Sequence, residues 1–283
     1  MERSLRKYWP IFLLPTVIAF IIGFVVPFAE GLYLSFCQFT TVNNAKFIGI
    51  KNFIRAISDA QFGASFWFTL RFAICSVLSI NIIAFIVALW LTKKFAGNNF
   101  LRAVFFMPNL IGGIVLGYIW QILINCVLSI VGKPLLALNS TAGFVGLIIL
   151  MCWQQIGYMM IIYIAGLNSV PDSLIEASKI DGATNLQTLF KVKIPMVMPT
   201  ITICMFLTLT NSFKLFDQNL ALTGGDPNHQ TEMLALNIYN TFYARAGAQW
   251  KGMGQAKAVI FFIIVILMSF AQLKLSRDSE IQQ

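Results

Sequence analysis

Six stretches of this chain are long and apolar enough to cross a bilayer, and that fact limits its possible folds more than any motif does. A spanning helix needs roughly 20 mostly apolar residues. Segments at about 10–36, 66–91, 103–125, 143–165, 196–217 and 256–274 meet that length. With 58% hydrophobic and 11% charged residues, the chain lacks the polar surface to wrap such helices in water. The expected fold class is an all-α membrane protein with six transmembrane helices, forming a single transmembrane domain over residues 1–283. The first run is too long for a cleavable signal peptide and lacks a clean small-residue cleavage site after it, so it is expected to remain as a span.

Orientation follows from Lys and Arg in the flanks. With the N-terminus inside, the cytoplasmic side holds Arg3, Arg6, Lys7, Lys93, Lys94, Arg102, Lys179, Lys191, Lys193, Lys274 and Arg277. The outer side holds Lys46, Lys51, Arg55, Lys133, Arg245, Lys251 and Lys257. The excess lies in the short N-terminal tail and the short Lys93-Lys94 loop, which weigh most in the positive-inside rule. Both termini are therefore expected in the cytoplasm. The net charge of +9 then reflects topology and attraction to anionic inner-leaflet lipid, so nucleic acid is not an expected partner.

Catalysis finds no constellation to work with. Cys37, Cys75, Cys126, Cys152 and Cys204 are odd in number and scattered, which argues against a disulfide framework or a metal site, and His229 is the only histidine. There is no G-x-x-x-x-G-K-[ST] phosphate loop, and Gly224-Gly225-Asp226 stands in the wrong context for one. The chain is thus read as no enzyme by itself, with no cofactor implied and ATP handled by another subunit.

One polar segment interrupts this apolar chain, at 171–195 between spans four and five. Pro171 suits the first turn of a helix, and Asp172 complements the positive end of its dipole. A short helix is expected through about Ile180. Asp181-Gly182 then reads as a turn in which glycine takes positive φ. Thr184 followed by Gln187 is a capping-box signature, starting a second helix near Asn185 that runs toward Lys191, with Pro195 and Pro199 separating it from span five. The product is a cytoplasmic helix–turn–helix.

Neutral polar side chains reach the middle of the spans: Ser79 and Asn81 in span two, Gln154 and Gln155 in span four, and Thr208, Thr210 and Asn211 in span five, with Tyr158 one turn from Gln154. Amides, hydroxyls and an aromatic face can bind a neutral hydroxylated solute, and interhelical hydrogen bonds are their other use. Gln154, Tyr158, Thr208 and Asn211 are the substrate-path candidates. Glu30, Arg71, Lys214 and Asp217 fall near outer ends of spans, and Lys214 and Asp217 are expected to form a local ion pair or interfacial anchors. Because no charge is placed at the midplane, a neutral solute is expected and an ion-coupled carrier is disfavoured. In the outer segment 219–255, Leu234, Ile238 and Phe242 form one face of a short surface helix. Asn228, Gln230, Glu232 and Arg245 are available there to a docking protein.

Glu176-Ala177-Ser178, then Gly182, then Val192-Lys193-Ile194-Pro195 resembles the EAA loop of ABC importer permeases, whose pattern is E-A-A, three residues, Gly, nine residues, I-x-L-P. Ser178, Val192 and Ile194 stand for the family's Ala, Ile and Leu. By average residue usage such spacing arises about once per million start positions. Phe106-Met107-Pro108, Ala165-Gly166-Leu167 before Val170-Pro171, and Phe213-Lys214-Leu215-Phe216-Asp217 leading to Leu222-Thr223-Gly224-Gly225 are similar to the carbohydrate-uptake branch in particular. The resemblance implies a multi-pass permease in a prokaryotic cell membrane. Its expected partners are a second homologous permease, two ATPase subunits and an extracellular solute-binding protein. It also implies that Glu176, Ala177, Ser178, Asp181 and Gly182 couple to the ATPase. The cargo implied is a sugar or oligosaccharide, with glycerol phosphate as the alternative by the same mechanism.

Overall fold

A computed structural model describes residues 13–93 and 95–277, so Arg3, Arg6, Lys7, Lys94 and the start of the first span lie outside the described residues. Among the described residues, six helices are long and apolar enough to cross a membrane. In chain order the elements are α1 (Leu13–Ser35), a hairpin of β1 (Cys37–Gln38) and β2 (Lys46–Phe47), α2 (Lys51–Ile57), α3 (Ala60–Leu91), α4 (Asn98–Phe106) and α5 (Gly113–Ile130). Then follow α6 (Ser140–Asn168), α7 (Asp172–Ile180), α8 (Asn185–Phe213), α9 (Asp217–Leu222), α10 (Leu234–Tyr239) and α11 (Ala248–Arg277).

Prolines shape three of these helices. Pro27 and Pro195 have no N–H to return to the preceding turn, and each follows a π-helical turn, Ile21–Val25 and Leu189–Lys193. The widened turn lets the helix pass the proline without ending, as does Pro199 inside α8. Pro195 and Pro199 therefore do not separate the second helix of the 171–195 segment from span five, contrary to expectation: α8 is continuous over 29 residues. Pro108 acts differently. It sits in a 3-10 turn, Met107–Leu110, followed by extended Ile111, and splits the expected third span of 103–125 into α4 and α5. Hydropathy alone does not mark the proline at which a helix stops. At 32 residues α3 is about 48 Å long, well beyond the roughly 30 Å hydrocarbon layer, and begins earlier than expected.

The described residues gather into two compact units. One comprises the residues up to Ala60 together with Ile238–Phe262. In it β1 and β2 pair antiparallel, Cys37 opposite Phe47, and the buried Asn52 amide donates to Ser35 O at 3.0 Å and Cys37 O at 2.8 Å. Gly252 approaches Cys37 O so closely that a Cβ would stand 2.1 Å away. Lys257 is fully buried and donates to Asp59 Oδ2 at 2.7 Å and Thr241 Oγ1 at 2.8 Å. Such a charge is tolerated only with its partners in place. α1 has just 6% of its apolar window buried, leaving a face for lipid or another subunit.

The other unit comprises Gln61–Asn237 and the chain from Ile263. Its core packs Phe72, Ile80, Ala84 and Ala88 of α3 against Leu147, Leu150, Met159 and Met160 of α6 and Val197 and Cys204 of α8. Small residues set the approach of helices, as lipid provides no hydrophobic drive between them. A Cβ on Gly157 would stand 1.8 Å from Phe105 O, and one on Gly166 2.4 Å from Thr200 Oγ1. Gly113 and Gly117, four apart on α5, admit α9 in the same way: Cβ atoms there would lie 2.7 Å from Asp217 and 2.5 Å from Ala221. The segment after span five thus packs into this unit instead of leaving it as a solvated loop.

Candidate functional site

The polar segment between spans four and five builds a compact knob. Pro171 is the N-cap of α7, with an extended ψ of 131°, and not a first-turn residue. Asp172 in the first turn and Lys179 in the last complement the dipole. The helix ends in a Schellman motif: Ala183 N–H bonds Ser178 O at 3.0 Å, Gly182 N–H bonds Lys179 O at 3.1 Å, and Gly182 takes φ +77°. Thr184 and Gln187 form the expected reciprocal box, with Thr184 N–H to Gln187 Oε1 at 2.7 Å and Gln187 N–H to Thr184 Oγ1 at 3.3 Å, and α8 starts at Asn185.

Ser178 ties the two helices together. Its hydroxyl donates to Ile175 O at 2.8 Å and lies 3.0 Å from Oγ1 of buried Thr188. Glu176, Ala177, Asp181 and Gly182 are exposed while Ser178 is half-buried. Beside them, Ile180 is 86% exposed, and Leu186 and Phe190 also point outward. A rigid, polar turn presenting apolar side chains is chemically suited to a partner's groove.

The midplane candidates divide. Thr208 is fully buried: it donates to Cys204 O at 2.7 Å and accepts from Asn81 at 3.2 Å, and Asn81 also accepts from Tyr163 at 2.7 Å. Gln154 is buried, donating to Ile111 O at 3.2 Å and accepting from Gln218 at 2.8 Å. Ser79 meets Cys152 at 3.3 Å. These groups knit helices. Tyr158 is half-buried against the core. Asn211, in contrast, lines a cavity of about 210 Å³ with Gln155, Lys214, Gln218, Met151 and Leu215, its amide 3.4 Å from Gln155.

Charges depart from expectation in three places. Lys214 and Asp217 do not pair, because α8 stops at Phe213. Lys214 is the C-cap of α8 and Asp217 begins α9, so each complements its own helix end. Lys214 also brings a cation to the Asn211 cavity, where none was expected. Glu232 is not available for docking: it is 1% exposed and accepts from Gln61 at 3.2 Å and Asn237 at 2.9 Å, with His229 at 3.6 Å. The surface helix expected around Leu234 instead buries Leu234 and Leu236, and Leu234 N–H bonds Thr69 Oγ1 at 2.9 Å. Asn228 and Gln230 are exposed. Lys257, counted in the outer flank, is the buried ion-pair partner of Asp59 described above. The small residues around it, Gly252, Gly254, Ala256 and Ala258, were the available signal of close packing.

Comparison with known proteins places these features in context. A family described as "Binding-protein-dependent transport system inner membrane component" matches residues 80–280. The probable starch degradation products transport system permease protein AmyD of Thermoanaerobacterium thermosulfurigenes is 43% identical, over 97% of this chain and 95% of that protein. The multiple sugar-binding transport system permease protein MsmF of Streptococcus mutans is 32% identical, over 99% of each. Among solved structures, a chain of a bacterial ABC transporter involved in the import of the acidic polysaccharide alginate superposes with a TM-score of 0.83 over 98% of both chains, at 19% identity.

Proposed function

Because this chain belongs to the family of inner membrane components of binding-protein-dependent transport systems, we propose that it carries a sugar or oligosaccharide across the cell membrane as one permease of an ATP-driven importer. The carrying observation is the knob at Glu176–Gly182: a Schellman turn at Gly182 and a Ser178–Thr188 tie hold α7 against the start of α8 while the apolar tips of both stay exposed. In this reading Glu176, Ala177, Asp181 and Gly182 face a separate ATPase, and Ser178 keeps the knob stiff enough to pass its closing motion to α8. The whole of residues 1–283 acts as one transmembrane domain, with both termini and the coupling segment 171–195 in the cytoplasm and the segment 219–255 toward the extracellular binding protein. A second, homologous permease completes the path. Two relatives named for starch degradation products and multiple sugars support the sugar assignment.

The path in this reading runs along Tyr158, Gln155, Asn211 and Gln218, with Gln154 and Thr208 holding the wall. Lys214 in the same cavity supports a second reading, an anionic solute such as a glycerol phosphate, since it faces the amides without a carboxylate partner. Gly182→Asp tests the coupling: there is open space around a Cβ, but φ +77° costs a side chain about 1–2 kcal/mol. Combined with the new charge, it should abolish transport and co-purification of the ATPase while insertion stays normal. Full transport by this variant would sink the proposal. Lys214→Asn then separates the cargoes, leaving neutral sugar uptake standing and lowering uptake of a glycerol phosphate.

A further inference from the structure

The end of the bundle that carries the coupling helices holds a second, larger cavity, about 610 Å³, between the end of α3, the start of α4 and Asn168 at the end of α6. Its polar lining is Thr92, Gly97, Asn98, Asn99, Arg102 and Asn168. Arg102 spends one donor on Leu91 O at 2.7 Å, and its Nε–H is buried with no partner. The Asn98 amide nitrogen serves Leu91 O and Lys93 O, both at 2.8 Å, while its Oδ1 is likewise buried and unpartnered. Both orphan atoms are sealed from solvent, so the fold leaves Arg102 and Asn98 only partly satisfied, and it is the other polar groups lining the cavity that an occupant meets.

Charge narrows the choice. No Asp or Glu occurs anywhere from Gln61 to Pro171, so no carboxylate of these helices neutralises Arg102 or exposed Lys93. The rim is aromatic: Trp90 stacks on Phe95 with centroids 5.5 Å apart, and Phe100 is 71% exposed. Exposed aromatics beside basic residues mark the level of lipid headgroups. We propose that this cavity binds the headgroup of an anionic phospholipid of the inner leaflet. Arg102 holds the phosphodiester, and the amides of Asn99 and Asn168 on the same lining meet a headgroup hydroxyl such as that of phosphatidylglycerol. The leaflet, though not the chemistry, rests on the coupling end being cytoplasmic.

The test uses the whole complex in nanodiscs of phosphatidylcholine with rising fractions of phosphatidylglycerol, followed by native mass spectrometry of retained lipid. One phosphatidylglycerol per copy of this chain is expected to survive delipidation. Arg102→Gln should weaken retention about fivefold. Asn99→Asp alters an exposed residue and adds a first-turn acid that α4 tolerates, so it should fold, yet its charge repels the phosphate and should weaken retention similarly. Equal retention of phosphatidylcholine, unchanged retention in Asn99→Asp, or displacement by free glycerol phosphate at matched concentration each overturns the proposal. Because retention is read without sugar or ATP, a complex that keeps its lipid but moves no sugar counts against the importer reading alone.

Discussion

Single residues in this protein differ in how far their role is written in the sequence. Gly182, Thr184 and Gln187 act through neighbours three to five positions away, and positive φ and the capping box appear where local rules put them. Lys257 and Glu232 act through contacts 198 and 171 positions away, with Asp59 and Gln61, partners that local rules do not reach. In the sequence Lys257 reads as an ordinary flank charge and Glu232 as a residue available to a docking protein. Their burial makes a sharp prediction. Lys257→Met leaves Asp59 without its cation and Thr241 without its donor, and breaking such a pair costs about 3–5 kcal/mol. The thermal inactivation midpoint of the purified complex should fall. Adding Asp59→Leu should recover most of the loss, because two apolar groups need no desolvation. A double variant as unstable as the single one would mean that Lys257 serves more than its ion pair.

At the scale of elements, all six spans were legible, since twenty apolar residues in a row have few other uses. The boundaries were not. Pro195 lies in a continuous helix because a π turn absorbs its missing N–H, whereas Pro108 ends one, and only the tertiary setting separates the two outcomes. The placement of α9 was equally hidden, although its signal was present. Gly113 and Gly117 form a small-xxx-small pair on α5, and α9 lies on it so closely that Gln121 reaches Leu222 O at 3.1 Å. Gly117→Leu should therefore push α9 off α5, displace Gln218 and Lys214 from the Asn211 cavity, and reduce uptake at least tenfold, a loss of about 1.4 kcal/mol or more. Gly112→Ala, at the N-cap of α5 and in open space, should leave uptake near normal. ATPase co-purification should persist in both, because the knob at Glu176–Gly182, proposed to meet the ATPase, is untouched. Loss of the ATPase in Gly117→Leu would show that α9 supports assembly instead of the path.

For the molecule as a whole, sidedness and energy source are the open properties, and both follow from where charge is held. If the knob is cytoplasmic, a cysteine placed at Ile180, 86% exposed, should resist an impermeant maleimide in intact cells, while one at exposed Asn228 should react. The background needs Cys75 and Cys126 replaced, as both are exposed. The reverse pattern inverts the topology. The energy source is the subtler question, since the two buried charges unseen in the sequence are the kind of groups a proton- or sodium-coupled carrier would use. Each is satisfied inside its own unit: Glu232 by Gln61 and Asn237, Lys257 by Asp59 and Thr241. A coupling group must gain and lose its ion during each cycle, and neither arrangement leaves a place for one. Lys214 is accessible but is a lone cation, which repels a coupling cation instead of binding it. Uptake by the whole complex in proteoliposomes should therefore require ATP inside and continue when ionophores collapse the proton and sodium gradients. Uptake that stops on adding an ionophore while ATP is ample would hand one of these buried groups a transport role and remove the ATP-driven reading.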